Sequence, residues 1–325
     1  MRRTFRRLLP ILALVAFTFC SWRVWTVVRE YRLNDIINWL AAVPPRGVLY
    51  SVLFAAVSYL TLTGYDYIAT LYSGHRLPYR KVALASFISV GVGYSLGPAP
   101  LGTGVLRYFY YSRFGLGLEA FTKLALLIMV TAMLGKFSFA GLVLLCDPGT
   151  TAGWSGLDET VIRILAASTL IGIAGYVLVS AMSPLEVRIG SWRFAFPSLR
   201  LALAQVALGT INYFCISACL HQMMSASAPI SYLTVATGYV FANFAVLLTH
   251  VPGGWGVMEF VILLIVPRLD AVGALIAFRA IYYLAPLALG LSLLLLLEGK
   301  RMFLTVVRPW SPAANRQVAN KPANS

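Results

Sequence analysis

A long segment without charged residues is the feature that most constrains how this chain folds. Residues 201–258 contain no Asp, Glu, Lys or Arg, whereas about 20 apolar residues already suffice to cross the hydrocarbon core of a bilayer. The chain of 325 residues is 59% hydrophobic and only 11% charged. So little polar surface cannot cover a water-soluble globule of this size. The sequence therefore predicts an all-α, polytopic helical membrane protein.

Six segments are long and apolar enough to be predicted as full crossings. They are residues 8–28, 48–73, 121–145, 160–182, 201–223 and 271–297. The first follows four arginines and resembles a signal peptide, but no small-residue cleavage site follows it, so we expect a retained anchor. We predict one helical membrane domain over residues 1–298 and a polar, disordered cytoplasmic tail over residues 299–325.

The distribution of basic residues predicts the topology. The formal net charge of +15 would suggest a nucleic-acid partner for a soluble protein, but here the basic residues cluster at the ends of apolar segments. The loops at 74–81 and 183–200 are basic, whereas the loop at 146–159 carries only acidic charges. We therefore expect a multi-pass protein of a bacterial inner membrane, with both termini in the cytoplasm and no nucleic-acid partner.

Two apolar segments are interrupted by glycine and proline. The breaks are residues 97–104, which include Gly102 and Gly104, and residues 251–256, which include Gly253 and Gly254. Proline lacks the backbone donor and glycine loses most entropy, so neither segment is expected to continue as a straight helix. We expect two re-entrant hairpins of opposite orientation besides the six crossings, the arrangement of inverted repeats. Eight crossings remain an alternative because either hairpin piece could span.

The backbone at these breaks is a candidate binding surface. Lipid cannot satisfy non-helical backbone groups, so they must be buried in protein or line a wet cavity. Helix amino termini freed after Gly104 and Gly256 would offer N–H donors and a positive dipole end to a phosphate or carboxylate. On this basis Gly102, Gly104, Gly253 and Gly254 are predicted to contact substrate. The alternative is that each break is a packing kink.

Ionisable residues within apolar segments are the other candidates, because a charge at the bilayer centre costs about 2.5–3.5 kcal/mol or more. They are Asp66, Arg107, Lys136, Glu259 and Arg279. Arg107 and Glu259 each lie three residues beyond the last glycine of a break, which predicts positions in the first turn of a half-helix. Arg107 is suited to a lipid phosphate, and Glu259 to a proton or a cationic headgroup. Alternatively, ion pairing neutralises four of these residues, in a purely structural role: Asp66, Arg107, Glu259 and Arg279.

Motifs of soluble enzymes are missing from the sequence. There is no Walker A loop, no nucleophile elbow and no His or Cys spacing typical of a metal site. We therefore expect neither enzymatic activity nor a cofactor. An intramembrane enzyme that uses Asp66 and Glu259 as acid and base is the weakest alternative, because no nucleophile or metal set accompanies them.

Four short strings together resemble the lysylphosphatidylglycerol synthase transmembrane-region family. The strings are Gly64-Tyr65-Asp66, residues 97–107 with Tyr108, Pro252-Gly253-Gly254-Trp255-Gly256 with Glu259, and Arg279-x-x-Tyr282-Tyr283-x-x-Pro286. The resemblance runs over residues 48–297. That family includes the flippase half of the bifunctional lysylphosphatidylglycerol flippase/synthetase. The resemblance implies a lipid-translocating domain, with the family's polar positions at Asp66, Arg107, Glu259 and Arg279.

The resemblance also limits the predicted function. Only a short tail follows residue 297, where the bifunctional proteins continue into a cytosolic aminoacyl-transfer domain, so we expect no lysylphosphatidylglycerol synthesis. The leading hypothesis is a flippase-like transporter that moves or binds a phospholipid or isoprenoid lipid. The alternative is a non-transporting partner that scaffolds a lipid- or glycan-modifying enzyme. Either role is compatible with a homo-oligomer.

Overall fold

The structure, a computed structural model, describes residues 43–94, 99–182, 186–189, 192–226, 229–249, 252–266 and 270–307. Most of these residues are helical, which confirms the predicted all-α class. In chain order the helices are α1 (Pro45–Tyr72), α2 (Tyr79–Gly93), α3 (Ala99–Arg113), α4 (Leu118–Cys146), α5 (Pro148–Ser155), α6 (Glu159–Met182), α7 (Leu199–Met224), α8 (Tyr232–Thr249), α9 (Val257–Ile265), α10 (Asp270–Arg279) and α11 (Ala285–Val307). Two short strands, β1 (Glu186–Ile189) and β2 (Trp192–Ala195), pair antiparallel between α6 and α7.

Five of the described helical segments are long and apolar enough to cross a bilayer. They are Pro45–Tyr72, Leu118–Cys146, Glu159–Met182, Leu199–Met224 and Gly273–Gly299. These segments coincide with five of the six predicted crossings, and the predicted first crossing at 8–28 lies outside the described residues. The polytopic membrane architecture is thereby confirmed. Helix α6 is the least buried of the five, and its exposed Ile171 and Leu178 are suited to contact with lipid.

Helix α7 lies at the centre of the bundle, where it packs along α1 and also contacts α4, α6, α8 and α10. Its crossing with α4 is very close. A Cβ atom on Gly135 of α4 would lie 2.3 Å from the Cα atom of Gly209 of α7, so the two backbones are in direct contact. Small residues permit such close helix crossings in membranes. This contact fixes the position of α4 against α7 at Gly135.

Helices α2 and α3 form the first predicted hairpin. Each has 15 residues and is about 22 Å long, which is shorter than a hydrocarbon core of about 30 Å. The two helices pack together, and a Cβ atom on Gly93 would lie 2.6 Å from the Cα atom of Thr103. The ammonium of Lys81 near the start of α2 lies 5.9 Å from the ring centroid of Phe114, just after α3. The chain therefore enters and leaves this hairpin on the same side.

The first break is shorter than predicted from the sequence. Helix α3 begins at Ala99, so Gly102 and Gly104 lie inside it, and the prediction of a helix amino terminus after Gly104 is wrong. Pro100 occupies the first turn, where its missing N–H would have had no acceptor within the helix. A glycine within a helix costs only about 1 kcal/mol relative to alanine and does not end it. Arg107 therefore lies about two turns into α3, not in its first turn.

Helices α8 and α9 form the second predicted hairpin. Helix α8 has 18 residues and α9 has nine, so α9, at about 13 Å, is too short to cross the bilayer. The two helices pack against each other and are joined through a 3-10 turn at Pro252–Gly254. Helix α9 begins at Val257, which places Glu259 in its first turn, as predicted. The lengths of α2, α3 and α9 agree with re-entrant segments, whereas α8, at about 27 Å, approaches the length of a crossing.

The last span contains an irregularity that the sequence analysis did not predict. A single π-helical turn, Ala280–Leu284, lies between α10 and α11. Pro286 has no N–H to donate to the carbonyl of Tyr282, as a residue in a regular α-helix would. The hydroxyl of Tyr59 on α1 donates to that carbonyl instead, at 3.3 Å. The irregularity is thus stabilised by a neighbouring span.

Helix α11 extends past the predicted domain boundary at residue 298 and ends at Val307. Residues 299–307 are therefore helical, and this part of the predicted disordered tail is wrong. Glu298 accepts a hydrogen bond of 2.7 Å from Nη1 of Arg113, at the end of α3. This contact places the end of the first hairpin beside the end of the last span. The remainder of the predicted tail, residues 308–325, lies outside the described residues.

Candidate functional site

The first candidate pair, Asp66 and Arg107, joins α1 to the first hairpin. Nε and Nη2 of Arg107 donate to Oδ1 and Oδ2 of Asp66, each at 2.9 Å. Asp66 is fully buried and Arg107 is 7% exposed. Two parallel hydrogen bonds make a geometrically specific and strong contact between a guanidinium and a carboxylate. The two charges therefore neutralise each other in this structure, as the alternative interpretation of these residues expects.

Two hydroxyl groups complete the hydrogen bonding of Asp66. Ser86 of α2 donates to Oδ2 at 2.7 Å, and Tyr111 of α3 donates to Oδ1 at 2.9 Å. Each carboxylate oxygen thus accepts two hydrogen bonds, and the donors come from both helices of the hairpin. An unpaired buried charge is strongly destabilising, whereas this carboxylate is fully satisfied. Asp66 consequently anchors the first hairpin to α1.

The second candidate pair, Glu259 and Arg279, holds the second break. Nε of Arg279 on α10 donates to Oε1 of Glu259, and Arg279 is 3% exposed. Its Nη1 and Nη2 donate to the carbonyls of Gly253 and Gly254 at 2.9 and 3.0 Å. The guanidinium carbon lies 3.9 Å from the ring centroid of Trp255, which is a cation–π contact. Arg279 therefore supplies donors to carbonyls that the interrupted helix cannot satisfy itself.

Gly253 and Gly254 shape this break through their backbone conformation. Their φ angles are 64° and 62°, in the left-handed region that favours glycine. Their carbonyls accept hydrogen bonds from Arg279, whereas the sequence predicted backbone amides facing a substrate. The amide of Gly256 donates to Oε2 of Glu259 at 2.8 Å. The start of α9 is thus capped from within the chain in this structure.

The two breaks lie next to each other. Tyr94 is the last described residue before the first break, and its carbonyl oxygen lies 3.7 Å from where a Cβ atom on Gly253 would be. The ring of Tyr94 also lies 6.3 Å, between centroids, from the ring of Tyr283 in the π-helical turn. The structure therefore brings both interrupted segments and the irregular part of the last span to one place.

A neutral hydrogen-bond network runs through the adjacent core and was missed by the sequence analysis. The hydroxyls of Tyr282 and Ser58 are 2.7 Å apart, and Ser58 donates to Oδ1 of Asn212 at 2.7 Å. Thr61 also donates to Asn212, at 3.2 Å. Uncharged polar residues do not stand out in an apolar span. The available signal was the three-residue spacing of Ser58 and Thr61, which places both on one face of α1.

Lys136 differs from the other buried basic residues of the described chain, Arg107 and Arg279. It lies in α4 and is 7% exposed, yet no described carboxylate forms an ion pair with it. Its ammonium lies 5.9 Å from the ring centroid of Tyr213 on α7 and 5.9 Å from that of Phe244 on α8. Lys136 is therefore a buried cation between aromatic rings, without a described counter-ion.

Comparisons with known proteins agree with this architecture. A family model described as "Lysylphosphatidylglycerol synthase TM region" matches residues 11–290. The chain is 30% identical over 283 residues to "Inner membrane protein YbhN" of Escherichia coli (strain K12), covering 85% of this chain and 84% of that protein. It is also 28% identical over 252 residues to "Uncharacterized protein slr0712" of Synechocystis sp., covering 75% of this chain and 78% of that protein.

Proposed function

The chain belongs to the lysylphosphatidylglycerol synthase transmembrane-region family, and from this premise we propose that it is a flippase-like, non-enzymatic transporter of a polar lipid. It is a multi-pass inner-membrane protein. The observation that carries the proposal is the meeting of two interrupted helices at Tyr94 and Gly253. Interrupted helices that meet inside a membrane domain form the substrate sites of many secondary transporters.

The buried charges support the same proposal. Ionisable residues within a membrane domain are costly and usually mark a pathway for a substrate or an ion. Here one ion pair holds each hairpin, and in our proposal each pair controls the opening of one broken segment. A lipid phosphate presents oxygens to a guanidinium in the same bidentate manner as a carboxylate. In our proposal the lipid phosphate replaces Asp66 as the partner of Arg107 when lipid enters. The ion pair between Asp66 and Arg107 forms again when the lipid leaves.

The test is headgroup-resolved lipid translocation in liposomes that contain the purified protein, over a panel of phospholipids and isoprenoid lipids. We expect one lipid class to move, and we expect Arg107→Ala and Glu259→Gln to reduce its rate to that of protein-free liposomes. Arg113→Ala is the matched control, because Arg113 lies on the same helix and its ion pair with Glu298 is partly exposed. This control should retain most of the wild-type rate.

A folding defect must be separated from a transport defect. Arg107→Ala leaves Asp66 buried and unpaired, so it can fail by misfolding. The double variant Asp66→Leu/Arg107→Met removes both charges and avoids this problem. If this variant is monodisperse and still moves lipid at the wild-type rate, the assignment of Arg107 to the lipid phosphate is wrong.

The closed ion pairs favour one other candidate, a non-transporting partner of a lipid- or glycan-modifying enzyme. Asp66 and Arg107 satisfy each other, as do Glu259 and Arg279, which is what a purely structural role requires. This candidate predicts that an enzyme subunit co-purifies stably and that no lipid moves in liposomes containing folded protein. Movement of any lipid class that depends on Arg107 would exclude it.

A further inference from the structure

We propose that Lys136, with the rings of Tyr213 and Phe244, forms a binding subsite for a phosphate-bearing anion. The inference deepens the proposed function and rests on it in taking a lipid headgroup as the expected source of the phosphate. The ammonium lies where α4, α7 and α8 meet, because the three residues come from these three helices. None of the three residues takes part in either buried ion pair.

The charge of Lys136 calls for compensation that the described chain does not provide. The arginines at 107 and 279 show the usual solution, since each donates to a carboxylate. Aromatic rings attract an ammonium through their negative faces, but they carry no net charge and are poor hydrogen-bond acceptors. Lysine has three N–H donors and no acceptor. An anion that approaches between the two rings would satisfy both the charge and the donors.

Lys136 is 7% exposed and lies inside the α4 span, away from both of its ends. Helix α4 ends at Cys146, ten residues further along the chain, which corresponds to about 15 Å at the α-helical rise. Snorkelling serves lysines near helix ends, and Lys136 lies well inside the span. The neighbouring Gly135 also contacts the backbone of Gly209, which prevents α4 from rotating away from α7. The ammonium is therefore held inside the protein.

The site suits a phosphate on chemical grounds. A lysine ammonium is a compact point charge that binds phosphate without the fixed geometry of a guanidinium. The aromatic rings around it pair further: Tyr213 with Tyr239 at 6.4 Å, and Phe244 with Phe137 at 5.4 Å between centroids. Such a wall suits the acyl chains of a phospholipid or an isoprenoid chain next to the charged group. We therefore expect phosphates attached to an apolar moiety to bind in preference to neutral or zwitterionic molecules.

The test is native mass spectrometry of the full-length protein, equilibrated with equal amounts of phosphatidylglycerol and phosphatidylcholine. We expect the wild type to retain phosphatidylglycerol preferentially. Lys136→Gln should reduce the bound fraction about tenfold, whereas Lys136→Arg should keep most of it because it keeps the charge. Lys123→Gln is the matched control, since Lys123 lies on the same helix, is partly exposed and pairs with Glu119.

A competition with inorganic phosphate distinguishes the two sources of the anion. Millimolar phosphate could displace the lipid from the wild type, and could bind without lipid to the wild type and Lys136→Arg but not to Lys136→Gln. These two results together would show that the subsite accepts the free anion as well. If phosphate has no effect, the site requires a lipid-borne phosphate. Equal retention of lipid by the wild type and Lys136→Gln, or equal losses in Lys136→Gln and Lys123→Gln, would overturn the proposal.

The failure of this inference can be told apart from the failure of the proposed function. Binding that depends on Lys136, in a protein that moves no lipid, would retain the subsite and reject transport. Transport that depends on Arg107, with unchanged binding in Lys136→Gln, would retain the transporter and reject the subsite.

Discussion

The buried charged side chains differ in how their charges are compensated, and this difference determines the effect of replacing each one. Asp66 accepts hydrogen bonds from Arg107, Ser86 and Tyr111. Lys136 contacts only aromatic rings among the interactions described for it. Removing one member of a satisfied pair leaves an unpaired charge, whereas removing an uncompensated charge relieves a cost. Substitutions at the two sites should therefore have opposite signs.

Arg107→Met should destabilise the protein strongly, because Asp66 would remain buried without its counter-ion. We expect a loss of about 3–5 kcal/mol, and the double variant Asp66→Leu/Arg107→Met should recover most of it. The unfolding temperature of both variants is measured in detergent, with size-exclusion chromatography as the readout of folded protein. A double variant as unstable as Arg107→Met would show that the pair contributes geometry that apolar packing cannot replace.

Lys136→Met should instead raise the unfolding temperature in lipid-free detergent. Methionine fills a similar volume without a charge, and a charge within a span costs about 2.5–3.5 kcal/mol on insertion scales. The same unfolding measurement with added phosphatidylglycerol provides the comparison: lipid should stabilise the wild type more than the variant. A drop in the unfolding temperature of Lys136→Met would indicate that the ammonium has a structural partner.

Two glycines near the hairpin tips, Gly254 and Gly104, distinguish a true break from a continuous helix. Gly254 has a φ angle of 62°, and a Cβ atom there would lie 2.6 Å from Cγ2 of Val246. Gly104 lies in α3, and a Cβ atom there would meet nothing within 4 Å. The same substitution should therefore act in opposite directions at the two positions.

Gly254→Ala should destabilise the protein by about 1–3 kcal/mol, through strain at a left-handed position and contact with Val246. Gly104→Ala should stabilise it by about 0.5–1 kcal/mol, because alanine favours the helix. Thermal unfolding of the two variants in parallel tests the pair. A destabilising Gly104→Ala would mean that the first break extends to residue 104, as the sequence alone suggested.

The elements show what could be predicted from the sequence. The spans were predictable because each is a long apolar run, and the breaks because proline and glycine interrupt two of them. The start of α3 was not, since a helix tolerates proline in its first turn and glycine after it. The pairing of Asp66 with Arg107 needed tertiary structure, because 41 residues separate them. The isolation of Lys136 depends on every charge around it, which sequence spacing does not reveal.

Contacts at the helix ends relate several parts of the whole molecule to one membrane side. Lys81 lies beside Phe114, so the two ends of the first hairpin are neighbours. Arg113 bonds to Glu298, so the end of the last span lies there too. Helix α4 starts beside the first hairpin, and α5 follows its other end. There Asp147 caps α5 by accepting a hydrogen bond of 3.2 Å from the amide of Thr150. The topology predicted from the charges therefore specifies which helix ends should be accessible from each side of the membrane.

Single cysteines at positions 75, 117 and 153 would test that pattern in a background where the four native cysteines are serine. His75 and Gly117 flank the first hairpin and should react with an impermeant maleimide only after spheroplasts are permeabilised, because the positive-inside rule predicts a cytoplasmic position for the basic loop at 74–81. Gly153 in α5, where added atoms meet nothing within 4 Å, should react in intact spheroplasts. Labelling of Gly117→Cys from outside, with His75→Cys protected, would mean that one arm of the hairpin crosses the membrane. The prediction of two re-entrant hairpins that enter the membrane from opposite sides would then be wrong. The place where their tips meet would no longer be a site between two such hairpins.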